Sequence, residues 1–535
     1  MSETEQKVMA ESAAKIRQLE TALDLLTREN ADLKRQLDHM NELLVNARRT
    51  RFGQSSEKRT YVMGDGSKQL SMFNEAEAEQ SPKAPEPDEK TILIPAHQRK
   101  PKRTYDEMLK DIPVQEVYLD MPEDGKVCTT CGEPLVRAGK KLIRRELQII
   151  PQKVTVLEYY AFTYICRNCE KTSGYANIYT VKAPPPLMKH SLASPSTVAD
   201  VMTKKYVEGL PLARQEKMWK RIGVELSRAT LSNWVIYPAQ TWLKPLYRRM
   251  KKLLLESSVI HADETVVQVL KEPDKSPTSE SRMWVYATPE RSGIPIRYFE
   301  YQPDRKGCRP RDFLKGFTGC LVTDGYAGYN QVLGVTHCGC WAHVRRKWRE
   351  AMPKGATTKT SKAAIGYEYC NKLFALERKY AKMSDAVRKT ARQAEVEPLL
   401  DVYWLWLGTV HPEFGSKLEE AVNYSLNQKE QLSAFLTHGQ VEISNNHAEN
   451  AIRPFVVGRK NWLFSDTVKG ADSSAIVYTL VESAKANGID PYAYLLLLLN
   501  ELRYYGKTPA NAVLDRYMPW QAYVRNKCEQ TDESE

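Results

Sequence analysis

From Ile16 onward the apolar positions step by three and four, through Leu19, Leu23, Leu26, Leu33, Leu37, Met40 and Leu44, with Asn30 standing at the expected step. This is a heptad seam, and a buried amide at an a position costs stability while fixing register and a parallel dimer. The pattern predicts a coiled-coil zipper over 14–48 and self-association into a homodimer or higher oligomer. Arg48, Arg49, Arg51 and Gly53 close it. Residues 49–103 read as a flexible linker, acidic at Glu75, Glu77 and Glu79, then proline-rich, then basic at Arg99, Lys100, Lys102 and Arg103. Such a basic run could touch phosphates, but a charge run is usually only solvated.

Alternation returns over Arg144–Ile150 and Lys153–Ile165, predicting two strands of a hairpin, and each is flanked by a cysteine pair, Cys128 with Cys131 and Cys166 with Cys169. A CxxC turn offers two thiolates from one tight loop, and two such turns complete a tetrahedron for one structural Zn2+. A zinc-binding ribbon is expected over 104–183. Helical periodicity begins near Ser191, and 184–250 reads as a helical domain. Within it Gln215–Ile222 and Ser227–Val235 are two short helices joined at Gly223, a pattern shared by a helix-turn-helix and a plain helical hairpin. In the first case Leu231 and Trp234 pack inward, while Arg228, Thr230, Ser232 and Asn233 face outward toward bases or phosphates.

The stretch Ser257–Leu270 is rich in β-branched residues and carries Asp263 at its middle. Arg282–Thr288 and Ile294–Tyr301 form two further strands of a meander, a helix is expected at Arg311–Phe317, and Gly319–Gly325 is a short buried strand ending in Asp324. Three strands, a helix and a fourth strand is the order of a ribonuclease H-like fold, in which the first and fourth strands are neighbours. That order sets Asp263 beside Asp324. Two carboxylates on adjacent buried strands repel unless a cation lies between them. Hard oxygen ligands suit Mg2+ or Mn2+. The α+β catalytic core is expected over 251–480, with a helical insertion at 347–436 rich in Ala, Glu, Lys and Leu, and a helical tail over 481–535. His337, Cys338, Cys340 and His343 could hold a second zinc, but they straddle a strand end and a helix start, which favours buried thiols with His343 facing nucleic acid.

Composition narrows the partners. The net charge of +12 in 535 residues favours a polyanion, because Lys and Arg at phosphates release condensed counterions. The N-terminus is charged from Glu3, without an apolar signal region, and no apolar run approaches a membrane span; Leu495–Leu499 reads as a buried helix face. A cytoplasmic protein is expected, in which the ten cysteines are metal ligands or buried thiols. No phosphate-binding glycine loop is present, so nucleotide hydrolysis is not implied.

Several longer phrases resemble the bacterial DDE transposases of the insertion sequence 66 family. They are His261-Ala262-Asp263-Glu264-Thr265, Asp324-Gly325-Tyr326, Cys340-Trp341-Ala342-His343 with Arg345 and Arg346, and Asn445-Asn446-His447-Ala448-Glu449 running on to Arg453-Pro454. The Arg51-Phe52-Gly53 segment, the cysteine pairs, Gly209-Leu210-Pro211 and Gly458-Arg459-Lys460-Asn461-Trp462 extend the resemblance over nearly the whole chain. It implies Glu449 as a third metal ligand, on a helix beginning after Ser444; spacing alone leaves Glu442, Asp466 and Glu482 equally eligible. It further implies two Mg2+ (or Mn2+) per active site, cleavage at the element's terminal inverted repeats, joining to target DNA, and small accessory proteins as partners. Arg345, Arg453, Arg459 and Lys460 would meet the DNA, the last three at substrate phosphates. Related groups carry a lysine shortly after the glutamate, whereas the seventh position after Glu449 is Val456. The competing readings are a catalytically inactive DNA-binding zinc protein derived from a transposase, and a nuclease that cuts without joining.

Overall fold

Thirteen residues, Val259–Lys271, form the central strand of a mixed sheet, long because two different neighbours share one of its edges. The computed structural model describes residues 183–530 apart from 354 and 355, together with 154–166, 177–180 and scattered positions from 15 to 40. Among these, Thr163–Cys166 (β1) pairs with Asn177–Thr180 (β2). Residues 154–162 carry no regular element, with Val156, Tyr159 and Tyr160 exposed, so the expected strand is confined to its last three residues and runs on through Cys166. Alternation makes a strand only where a partner satisfies its backbone. The Arg144–Ile150 strand, the linker, and Cys128, Cys131 and Cys169 lie outside the described residues. The described positions from 15 to 40 are helical, and Leu23, Leu26, Leu33 and Met40 are all exposed.

Among the described residues from 183 onward, four α-helices precede the sheet: α1 (Pro195–Tyr206), α2 (Leu212–Arg221), α3 (Arg228–Pro238) and α4 (Lys244–Leu255). Gly223, at φ +85°, makes the turn between α2 and α3, and the Ser227 hydroxyl caps α3 by accepting from the Thr230 N–H at 3.1 Å. Leu231 and Trp234 are buried, while Arg228 and Asn233 are exposed and Thr230 is half-buried. These helices share one apolar core with the sheet, and α4 runs unbroken through position 250, so the expected boundary there falls inside a helix.

The sheet continues with β4 (Glu280–Ala287), β5 (Arg297–Gln302), β6 (Cys320–Val322), β7 (Thr336–Cys338) and β8 (Phe464–Thr467), the long strand Val259–Lys271 being β3. Its order is β5-β4-β3-β6-β7, with β8 also on β3. β4 and β5 form the antiparallel meander, whereas β6 and β8 run parallel to β3 near its two ends. The helix between β5 and β6, α5, spans Cys308–Phe313 rather than Arg311–Phe317, because the chain already turns at Gly316, whose φ is +91°. Phe313 stacks on Tyr286 with ring centroids 3.8 Å apart.

After β7 come α6 (Trp341–Ala351) and then the helical insertion: α7 (Lys362–Lys379), α8 (Asp385–Ala391), α9 (Glu397–Leu407), α10 (Lys417–Asn427) and α11 (Lys429–Ser433). A second apolar core joins these helices to β6 and β7. The chain then returns as α12 (Asn446–Trp462), β8 and α13 (Val468–Ala486), followed by α14 (Pro491–Glu501), α15 (Asn511–Arg516) and α16 (Ala522–Gln530). α13 is buried on almost every face and crosses position 480, so no boundary falls there either. Its Thr479 and Ser483 hydroxyls accept from the Phe299 and Arg297 N–H groups at 2.8 and 3.0 Å, which covers the edge of β5. Leu495, Leu498 and Leu499 are buried in α14 as expected, and no described helix is long and apolar enough to cross a membrane.

Candidate active site

The parallel pairing of β3 with β6 sets Ile260 against Leu321 and His261 against Val322. Two residues further along each strand stand Asp263 and Asp324, so the register carries both carboxylates to the same end of the sheet. Asp324 lies just past β6, where its carboxylate accepts from the Tyr326 N–H at 2.9 Å. Gly325, at φ +91°, lets the chain turn there, and the Tyr424 hydroxyl of α10 donates to the Asp324 carbonyl at 2.6 Å. The insertion thereby touches the site through Tyr424.

Glu449 is in the first turn of α12. What holds that helix start against β3 is Asn445, which is fully buried. Its amide donates to the Ala262 carbonyl at 2.8 Å and accepts from His261 Nδ1 at 3.2 Å, while its N–H meets Cys340 Sγ at 3.1 Å. One side chain therefore ties the strand bearing Asp263, the helix bearing Glu449 and the start of α6 together. His447 adds a bond to the Thr288 carbonyl at 2.7 Å. Burial pushes His261 down to about 3 and His447 down to about 4, so both rings stay neutral.

Burial is also the largest influence on Asp263, raised to about 8, and the charges of Glu264, Asp324 and Glu449 add to it. Glu264, its neighbour, is neutralised locally: Arg305 Nε donates to it at 2.6 Å and the Tyr329 hydroxyl at 2.7 Å. Of the other acids eligible by spacing, Asp466 pairs with Lys271 at 2.8 Å and Glu482 with Lys485 at 2.6 Å. Glu449 Oε1, by contrast, is buried without a hydrogen-bond partner; Arg346 stands 3.6 Å from Oε2 and His343 Nδ1 3.8 Å from Oε1. Carboxylates collected without enough donors fit a hard cation, and Asp263, Asp324 and Glu449 are the residues that could hold it.

A consequence for stability follows. A carboxyl ordinarily near 3.8 but raised to about 8 in the folded chain contributes stability that is fully present below 3.8 and lost as pH rises through 8. Asp263→Asn removes the ionising group. In EDTA it should raise the melting temperature at pH 8, by an amount on the order of 2 kcal/mol of stability, and change it little near pH 4. Equal shifts at both pH values would contradict this electrostatic account.

The remaining expected contacts divide. Arg453 is exposed one turn beyond Glu449, and Lys460 is exposed further along α12. Arg459 instead reaches back to donate to the Val266 carbonyl of β3. Arg345 is turned into the insertion, over the rings of Tyr367 and Phe374 at 5.2 and 5.4 Å, and does not join the site. Helical phase explains this, since His343 and Arg346 are three apart and share a face that Arg345 leaves. Arg346 and Asn445, like Arg305, Tyr329 and Tyr424, are site residues to which sequence reasoning assigned no role, although the first two stand inside motifs singled out for their resemblance. His337 bonds the Val332 carbonyl at 3.0 Å, and Cys338 pairs with Cys320, so the four-residue zinc set does not form.

Comparison with known proteins agrees with these motifs. The profile described as the transposase IS66 family matches residues 190–473, more than half of the chain. The zinc-finger binding domain of transposase IS66 matches 126–170, enclosing Cys128, Cys131, Cys166 and Cys169. The IS66 C-terminal element matches 479–520, and the profile described as transposase C of IS166 homeodomain matches 39–117. Among curated relatives from Sinorhizobium fredii, the uncharacterized protein y4qI is 28% identical over 504 residues, covering 90% of this chain and 88% of its own. The uncharacterized protein y4hP is 28% identical over 433 residues, 77% of this chain and 75% of its own. With profiles of one family matching from the zinc finger to the C-terminal element, the chain belongs to the IS66 family of transposases.

Proposed function

We propose that this chain cuts DNA at the ends of an insertion sequence and joins the released 3'-hydroxyl to target DNA, with Asp263, Asp324 and Glu449 as one metal-holding set in a ribonuclease H-like core. The observation that carries the proposal is the gathering of Asp263 and Asp324 at one end of the sheet, where the Asp263 carboxyl is raised by burial, then by Glu264, and further by Asp324 and Glu449. The sheet order, with β3 beside β6 and a helix before β6, supports the core assignment. Two Mg2+ or Mn2+ ions would activate the attacking oxygen and stabilise the leaving one in an in-line phosphodiester displacement. The chain's own residues orient that site. Asn445 fixes the Glu449 helix against β3, Glu264 is held by Arg305 and Tyr329 beside Asp263, and Tyr424 steadies the Asp324 turn. Arg346 and Arg453 are placed to meet phosphate oxygens, as charge-assisted donors.

Affinity for the element ends comes, in this proposal, from other parts. Cys128, Cys131, Cys166 and Cys169 hold one structural Zn2+, and the exposed face of α3 offers Arg228, Thr230 and Asn233 to the DNA. The exposed leucines of the N-terminal helix zip two chains together about Asn30. The experiment is cleavage of a linear DNA bearing the element's terminal repeat. Nicking that exposes a 3'-hydroxyl in Mg2+ and stops in EDTA supports the proposal. Tight end binding with no cleavage in Mg2+ or Mn2+ would instead identify an inactive DNA-binding descendant.

A further inference from the structure

Cys340 is the residue before the first turn of α6, and its sulfur is fully buried. The sulfur accepts from the Asn445 N–H at 3.1 Å, and the His343 N–H donates to the carbonyl of Cys340 itself at 3.2 Å. An N–H donated to a sulfur favours a thiolate over a thiol, as around metal-bound cysteines. Without a cation, burial dominates and pushes the thiol up to about 11. Beside it, His343 Nδ1 is buried with no hydrogen-bond partner and lies 3.8 Å from Glu449 Oε1, which is likewise buried and unpartnered. The ligand atoms of Cys340, His343 and Glu449 all lie within 4.8 Å of one another.

We infer that Cys340, His343 and Glu449 form a binding site for a thiophilic divalent cation of the Zn2+ class, separate from the zinc finger. Sulfur, imidazole nitrogen and one carboxylate oxygen are the donors that zinc prefers and magnesium does not. Three protein ligands leave a fourth position open, which makes the ion exchangeable rather than structural. Glu449 cannot serve this ion and a hard ion at full strength together, so Zn2+ here should switch off Mg2+-dependent cleavage. That consequence rests on the proposed role of Glu449, whereas the binding does not.

Zinc content of the intact chain tests the binding. After equilibration with buffered Zn2+ and gel filtration, the native chain should hold two zinc ions, one in the finger and one here. His343→Ala, a half-buried change with little packing to lose, should hold one, and so should Cys340→Ser. In a Co2+ titration the second equivalent should add a thiolate-to-metal charge-transfer band that Cys340→Ser lacks. A native chain holding one zinc, or a His343→Ala chain holding as many as the native chain, would overturn the site. Inhibition is read separately: added Zn2+ should suppress end cleavage in Mg2+ in the native chain and much less in Cys340→Ser. Two bound zinc ions with cleavage unaffected would leave the site standing and overturn the sharing of Glu449.

Discussion

Changing Asp263, Asp324 or Glu449 to alanine should abolish end cleavage and strand joining alike, each by about 1000-fold or more, while binding of the element ends survives. The magnitude follows from losing several kcal/mol of charge stabilisation at the displaced phosphate. The three effects should be similar and far from additive, because residues that hold metal as a unit fail as a unit. Binding should persist because, in the proposed arrangement, the zinc finger, the α3 face and the net positive charge supply affinity apart from the carboxylates. Asp466→Ala and Glu482→Ala serve as controls, since each of those acids already has a lysine partner. If Glu449→Ala cleaves normally while Asp466→Ala does not, the third ligand is misplaced.

The second large effect concerns the insertion. Glu377 is buried between two arginines, bonded to Arg388 at 2.6 Å and to Arg392 through Nε and Nη2 at 2.8 Å each. Arg392 is fully buried and also donates to the carbonyls of Phe435, His438 and Val441. Removing one member of a buried ion network strands the remaining charges, at about 3 to 5 kcal/mol. Glu377→Ala leaves two guanidiniums facing each other and should raise amide exchange in α7, α8 and α9 by about 100-fold or more. Exchange local to the insertion is the right readout, because a chain of several units need not unfold in one step. Unchanged protection in α7 and α8 would show that the network contributes little. Through Tyr424 the same variant should slow cleavage, although Glu377 touches no ligand.

The neighbouring placement of Asp263 and Asp324 was legible because the run around Asp263 is long and rich in β-branched residues and the short run before Asp324 is wholly apolar. A two-residue period and a strand–helix–strand order suffice to put β3 beside β6, and the parallel register then does the rest. Glu449 is proposed as the third ligand only through the Asn-Asn-His-Ala-Glu phrase, since periodicity treats Glu442, Asp466 and Glu482 alike. β8 went unseen because Phe464-Ser465-Asp466-Thr467 is short and half polar, and it is a strand only by virtue of the free edge of β3 it meets. The inward turn of Arg345 depends on where α6 begins, and an error of one residue there exchanges it with Arg346. The positions near 250 and 480 fall inside helices for a different reason. α4 and α13 are core helices of the sheet, and small residues such as Ser473, Ser474 and Ser483 are buried for close approach, which hydropathy reads as surface.

The most direct test of the central claim is metal rescue at one carboxylate. Asp324→Cys replaces a hard oxygen ligand with a sulfur that Mg2+ binds poorly and Mn2+ tolerates. The native chain should cleave the terminal repeat in either ion, whereas Asp324→Cys should be inactive in Mg2+ and recover cleavage in Mn2+. A variant that melts and binds DNA like the native chain, yet is equally active in both ions or equally dead in both, would contradict a metal-holding role for Asp324.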